Sequence, residues 1–185
     1  MQKIVVGIDE AGRGPLAGRV YAAAVILNSE KKISYLNDSK KIDHKTRLKL
    51  YDEIIKKSLS YGIGYASPEE IDKLNILNAT FLAMERALYN ITINFDYIVV
   101  DGNIFPFKDR YKGEAIVKGD TKISEIMAAS ILAKVERDLY MIEMSKLYPQ
   151  YNFEKHKGYP TKEHFELIKK FGASPIHRKS FKGVF

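Results

Sequence analysis

The sequence predicts an α/β or α+β layered sheet. Three observations carry the prediction: strand-length apolar runs crowd the first part of the chain, helical periodicity fills the last, and aspartates stand where strands run out. With 185 residues, 45% of them hydrophobic, the chain suits one domain, or one domain with an appendage, and can bury a full-sized core.

The elements follow in order. Ile4 to Ile8 and Val20 to Leu27 are apolar runs flanking a glycine-rich loop, and read as a hairpin or two adjacent strands. Asp43 caps a helix through about Ser58, in which Leu48, Tyr51, Ile54 and Ile55 recur at helical spacing while lysines fill the other face. Tyr61 to Ala66 is a third strand. Ser67, Pro68 and Glu70 form a capping-box start with proline at the first helical position, and a longer helix runs from about Leu77 to Tyr89. Asp96 to Val100 is a short buried strand that ends at Asp101-Gly102-Asn103. Glu114 to Lys118 is a further strand. Lys122 to about Lys146 is a long helix, alanine-rich in its first half, which Pro149 ends. Thr161 caps a final helix to Phe171, and Gly172 stops it. No internal repeat or low-complexity linker interrupts this order.

Composition narrows the chemistry. The absence of cysteine excludes disulfides, thiolate catalysis and cysteine-ligated metals, so any metal must use oxygen or histidine ligands. No window approaches the roughly 18 to 20 apolar residues of a membrane span, and the chain enters its first strand without signal-peptide architecture, so the expected location is cytoplasmic. A net charge of +7 and a pI near 9.3 make a polyanion such as nucleic acid a candidate partner.

Four acids stand at strand ends or strand-to-helix turns: Asp9 and Glu10 after the first strand, Asp101 after a central one, Asp120 between "VKG" and the long helix. Any one alone reads first as a turn or cap residue. Brought together, they would repel one another unless a divalent cation neutralised them, and hard oxygen ligands suit magnesium or manganese. The adjoining loop lacks the Lys-Ser/Thr of a P-loop, and its glycines are not spaced as Gly-x-Gly-x-x-Gly. They permit close backbone approach to a ligand, with Arg13 either on phosphate or on the surface.

"GIDEAGRGPLAG", "DSKK" at Asp38 to Lys41, "VVDGN" at Val99 to Asn103, "VKGD" at Val117 to Asp120, "AASILAKVERD" at Ala128 to Asp138 and "HKGYPTKEH" at His156 to His164 occur in that order. The sequence thereby resembles ribonuclease HII, the type 2 ribonuclease H. The resemblance implies an RNase H-like mixed central sheet with flanking helices over residues 1–145. A small C-terminal helical part, 146–185, would complete the substrate site. It implies that Asp9, Glu10, Asp101 and Asp120 are the catalytic and metal-binding quartet, holding Mg2+ or Mn2+. It also implies endonucleolytic cutting of the RNA strand of RNA/DNA hybrids, and cutting 5′ of single ribonucleotides in duplex DNA, with 3′-hydroxyl and 5′-phosphate ends. Gly12, Arg13 and Gly14 resemble the loop that recognises the ribonucleotide 2′-hydroxyl and its flanking phosphate, and Tyr159 the tyrosine that senses the ribose-to-deoxyribose junction. A monomer acting on these duplexes is implied, with a clamp or replication partner left open.

Departures from the common pattern are Arg19 for a frequent proline, and Ile123 and Glu125 where many relatives carry serines. Ser39, Lys40 and Lys41 form a basic turn that either grips a phosphate or is simply solvated, while Lys118 and Lys122 flank Asp120 and are placed to hold a substrate backbone. Lys134 faces either core or groove. His156 and His164 read as surface or capping groups rather than ligands. The tail "HRKSFKGVF" has three open readings: docked on the domain, bound to duplex, or engaging a partner. The alternative to an enzyme is a non-catalytic nucleic-acid-binding protein of the same fold, which has no reason to keep carboxylates in a basic groove. A small-molecule phosphatase is disfavoured because no Asp-x-Asp follows the first strand.

Overall fold

The structure is a computed structural model that describes residues 3–33 and 43–185, so Ser39, Lys40 and Lys41 lie outside the described residues. Five strands, β1 (Val5–Ala11), β2 (Val20–Ile26), β3 (Ser60–Ala66), β4 (Tyr97–Asp101) and β5 (Gly113–Ile116), form one mixed sheet of order β3-β2-β1-β4-β5. β1 and β3 run antiparallel to β2, whereas β4 runs parallel to β1 and β5 parallel to β4. Every residue of β2, VYAAAVI, is buried, as expected of an inner strand covered on both faces.

The two-residue period of the strands sorts their side chains between two helical layers. Val6, Ile8, Ala22, Ala24, Ile98 and Val100 pack against Ile71 of α2 (Pro68–Leu74) and Ala79, Ala83 and Ala87 of α3 (Ile76–Tyr89). On the other face Ala23 and Val25 meet Leu50 and Ile54 of α1 (His44–Lys57), and Met127, Ala128 and Leu132 of α4 (Ser124–Leu147). α4 can lie on β1 only because residue 7 is glycine: a Cβ there would stand 2.2 Å from the Glu125 carbonyl carbon. This close approach brings α4 over the strand that ends in Asp9.

Sequence and structure differ at the entry to α4. The strand expected to reach Lys118 stops at Ile116, since Lys118 turns left-handed (φ 57) into a 3-10 turn at Gly119–Thr121. Ile123 is still extended (φ −120), so α4 begins at Ser124 instead of Lys122. The short α5 (Phe153–His156) was not expected either, being too brief to show a period. α6 (Lys162–Phe171) has the expected Thr161 cap, whose hydroxyl accepts the His164 N–H, and ends at Gly172.

The far half of α4 runs beyond the sheet. Met141 there packs with Ala17, Tyr151, Phe153 and Ile176, while Leu16, Ile168 and Val184 form a neighbouring cluster. The tail after α6 docks on the glycine loop: Ala17 bridges His177, Gly18 N–H donates to the Ile176 carbonyl at 2.8 Å, and Arg178 N–H donates to Leu16 at 2.8 Å. Of the three readings of the tail, docking on the domain is the one observed. Among the described residues no helix is long and apolar enough to cross a membrane.

Candidate active site

The strand register assembles the acids. β1 and β4 are parallel with Ile8 opposite Val100, so one further residue along each strand sets Asp9 beside Asp101 at the same carboxyl edge. Asp9 shares the α4 face with Gly7, where Ser130 of α4 lies near enough to favour its charged carboxylate. Asp101 is aimed by Gly119 N–H, which donates to its Oδ1 at 2.7 Å and so ties β4 to the turn carrying Asp120. Glu10 faces Arg13 at 3.4 Å.

The electrostatics are those of uncompensated like charges. Burial, then the Glu10 charge and that of Asp101, pushes the Asp9 carboxyl well above its usual range, although Ser130 and Glu10 N–H oppose this. Burial also raises Glu10, against the pull of Arg13 and with a push from Asp101. Asp120 is raised by burial and then by Asp101. Among the described residues no three acidic or histidine side chains converge on a single coordination point, so the carboxylates are gathered at one edge without a closed shell. The donor set fits a divalent cation: it is all carboxylate oxygen, and its members repel one another until positive charge arrives. A cleft of about 190 Å3 adjoins them, lined by Asp120, Thr121 and Ser130, with Arg47 and Lys134 along it. Larger hollows of about 580 and 860 Å3 on other faces contain none of these four acids.

The glycine loop lies next to the acids. Gly12 has φ +97, and a Cβ on it would fall 2.1 Å from Nε of Arg137; at Gly14 the nearest atom to such a Cβ is the Tyr159 ring, 3.9 Å away. Tyr159, far off in sequence, is thus brought against Gly14. Lys134 Nζ lies 5.9 Å from that ring and pairs with Asp138 at 2.7 Å, placing Lys134 on the groove side. Lys122 Nζ donates to the Val117 carbonyl at 2.7 Å, beside the Asp120 turn.

The chain as a whole matches a known family. The ribonuclease HII family model matches residues 6–184. The chain belongs to the ribonuclease HII family. Ribonuclease HII of Francisella tularensis subsp. tularensis is 58% identical over 181 residues, covering 98% of this chain and 96% of the relative. The ribonuclease H2 crystal structure from Pyrococcus horikoshii superposes with TM-score 0.78 at 29% identity, covering 97% of this chain and 94% of the other. Bst-RNase HIII in complex with Mn2+ shares the fold alone, at TM-score 0.73 and 15% identity, over 98% of this chain and 68% of that one. As a ribonuclease HII-family member, the chain is a divalent-metal-dependent ribonuclease H, an endonuclease that hydrolyses the RNA strand of hybrids. This sets aside the non-catalytic alternative.

Around this site lie residues that sequence reasoning missed. His156 and His164, expected as surface or capping groups, are buried at 8% and 0% exposed and stack at 4.4 Å, and His177 beside them is 1% exposed. Their bonds specify each tautomer. His177 Nδ1 accepts from Ser174 N–H, leaving Nε2–H to donate to His164 Nε2 at 3.0 Å. His164 Nδ1–H then donates to the Tyr159 carbonyl at 2.9 Å, and His156 Nδ1 accepts from Gly158 N–H at 3.1 Å. All three rings are therefore neutral. Burial holds His164 and His177 down at about 4.

Arg137 and Arg178 are both 0% exposed, and neither meets a carboxylate. Arg137 donates to the carbonyls of Arg19, Ala17 and Lys157, and its Nη1 has no partner among the described residues. Burial first, then the neighbouring Arg137, lowers Arg178 to about 9. The only sequence signal for these residues was membership in the stretches "VERD" and "HRKSF".

Proposed function

We propose that this chain cuts both the RNA strand of RNA/DNA hybrids and duplex DNA on the 5′ side of a single ribonucleotide, leaving 3′-hydroxyl and 5′-phosphate ends. Its cellular role on this reading is ribonucleotide removal from DNA, in the cytoplasm, as a monomer. Asp9, Glu10, Asp101 and Asp120 hold Mg2+ or Mn2+. Such ions supply water activation and charge stabilisation at the leaving 3′-oxygen. The observation that carries the proposal is the register of β1 and β4, which sets Asp9 beside Asp101, with the Asp120 turn bonded to Asp101 and the glycine loop adjoining.

The protein's own groups have separate tasks. Gly12, Arg13 and Gly14 meet the ribose and its phosphate, since a 2′-hydroxyl can be told from hydrogen only by polar groups in close contact. Tyr159 packs on the following deoxyribose, carried there by the 146–185 segment. Lys118 and Lys122, with Ser39 and Lys40, hold the backbone electrostatically. The basic charge of the chain serves the same end.

Cleavage-product mapping tests this. A duplex with one ribonucleotide, incubated with Mg2+ or Mn2+, is expected to give a single cut on the 5′ side, while an all-DNA duplex stays whole. Cutting of the all-DNA strand, or a cut on the 3′ side, would refute the site assignment.

A further inference from the structure

Arg178 is an arginine without an acid. Its Nη2 donates to the Gly12 carbonyl at 2.7 Å, its Nη1 to those of Arg13 (3.1 Å) and Pro15 (2.7 Å), and its Nε to that of Gly18 (2.8 Å). Its own backbone N–H takes the Leu16 carbonyl at 2.8 Å. One residue thus gathers carbonyls from almost the entire loop. A guanidinium presents its five donors in a fixed planar fork, so the acceptors must converge on its geometry. A buried cation satisfied only by neutral dipoles costs free energy that a carboxylate or an apolar side chain would avoid, which calls for a reason to place it here.

The peptide plane supplies that reason. In a trans peptide the carbonyl of one residue and the N–H of the next point in opposite directions. Drawing the Gly12 and Arg13 carbonyls inward therefore turns the N–H groups of Arg13 and Gly14 outward. Neither of those N–H groups has an acceptor among the described residues. By contrast the Leu16 N–H, behind the Pro15 carbonyl, is used internally by the Gly158 carbonyl at 2.8 Å. The unspent donors of Arg13 and Gly14 lie in the part of the loop that adjoins Glu10 and Tyr159.

We propose that Arg178 is a positioning residue for substrate recognition: by collecting the loop's carbonyls it fixes the peptide planes so that Arg13 and Gly14 N–H face the ribonucleotide. This rests on the reading of Gly12 to Gly14 as the ribose-recognising loop. Arg137 braces the same loop from below, through the Ala17 and Arg19 carbonyls.

Arg178→Lys keeps the charge but loses the fork, and Arg178→Ala leaves a guanidinium-sized space. Both are assayed for thermal melting, and for kcat and KM on a one-ribonucleotide duplex, with and without millimolar methylguanidinium. In the metal-free parent and in Arg178→Lys, the amide NMR shifts of Arg13 and Gly14 are followed as the same duplex is added. In the parent both amides are expected to shift on binding. A folded Arg178→Lys is expected to lose about 10²-fold in kcat/KM, the scale of a small misplacement of a contacting group, with the two amide responses weakened. Methylguanidinium is expected to recover at least a tenth of parental activity in Arg178→Ala and to do nothing for the parent. Amides that shift in the parent and equally in a fully active Arg178→Lys would overturn the role of Arg178 while leaving the loop reading intact. Parental amides that do not respond would remove the loop reading and this proposal with it. Failure of both variants to fold would also overturn it, by making Arg178 a structural residue alone.

Discussion

The carboxyl edge of β1 and β4 and the collar of buried bases beneath the glycine loop are both crowded with like titratable groups, yet they resolve the crowding oppositely. In the collar, His156, His164 and His177 stay neutral, and Arg137 and Arg178 spend their protons on backbone carbonyls. At the edge Asp9, Glu10 and Asp120 have a few N–H groups, Ser130, Arg13 and Lys118 to offset burial and repulsion, and their pKa values still rise. The collar is closed on itself but for Arg137 Nη1; the edge waits for a cation. A cluster completed by its own backbone builds shape, and one left electrostatically incomplete binds something from outside.

The sharpest way to break this contrast is at Asp101. Asp101→Asn retains an oxygen for the Gly119 N–H and so is expected to fold. It is expected to lose at least about 10³-fold in metal-dependent cleavage while still binding hybrid. Activity within tenfold of the parent, measured with Mg2+ and Mn2+, would end the assignment of the quartet. The companion change, Asp9→Asn, removes a buried charge that its neighbours oppose. In EDTA it is expected to raise the melting temperature by about 3 °C, whereas replacing a member of the collar lowers it.

Two glycines sharpen the contrast at the boundary between the regions. Gly12 is positive in φ and sits on Arg137, so Gly12→Ala forces backbone and a fully buried side chain apart. A lower melting temperature is expected together with loss of activity. Gly14 has room for a methyl group, with only the Tyr159 ring at 3.9 Å. Gly14→Ala is therefore expected to melt within about 1 °C of the parent and still cut the one-ribonucleotide duplex about tenfold or more slowly. Equal melting losses in the two variants would show that the loop's glycines serve folding alone.

The collar has its own pH signature. His164 and His177 lie at about 4 in the folded chain and near 6.5 when unfolded. Between those values the unfolded state binds more protons, so stability is full above about pH 6.5 and falls as pH drops towards 4. Melting scans from pH 7.5 to 4.5 are expected to show a decline of several degrees. His177→Gln and His164→Gln, one fewer titrating ring each, are expected to flatten the slope. The raised carboxyls of Asp9, Glu10 and Asp120 contribute with the opposite sign as pH falls, so the deciding comparison is between parent and variant: a His177→Gln slope equal to the parent's would contradict the neutral histidine relay.

Most of the edge was legible in the sequence, because each acid follows its own strand or turn and the β period tells where a strand ends. The collar was not. Its parts meet across about the whole length of the chain, Gly12 with Arg178 and Ala17 with Arg137, and carry no local period. The tail also mixed lysines with Arg178, and composition does not tell a solvated cation from a buried one. His156 and His164 misread for the same reason: a ring's burial depends on partners such as His177 and Phe153, which local sequence does not identify.

The smallest expected effect concerns exposed charge around the edge. Lys118 occupies a left-handed turn next to Asp120, and Lys122 rests on the Val117 carbonyl at 2.7 Å, so both present ammonium groups beside the acids without belonging to the collar. Each phosphate neutralised releases condensed counterions, so affinity for duplex falls as salt rises, by about one unit of slope per contact. Lys118→Ala and Lys122→Ala are each expected to reduce the slope of log affinity against log salt by about one and to weaken binding severalfold. The melting temperature is expected to stay unchanged, since neither side chain is buried. Arg137→Lys is the opposite control, expected to lower melting without altering the salt slope. If a lysine variant kept the parental slope, its ammonium would be answering only the nearby carboxylate and carbonyl oxygens, and the phosphate path would run elsewhere along the groove, past Arg47 and Lys134.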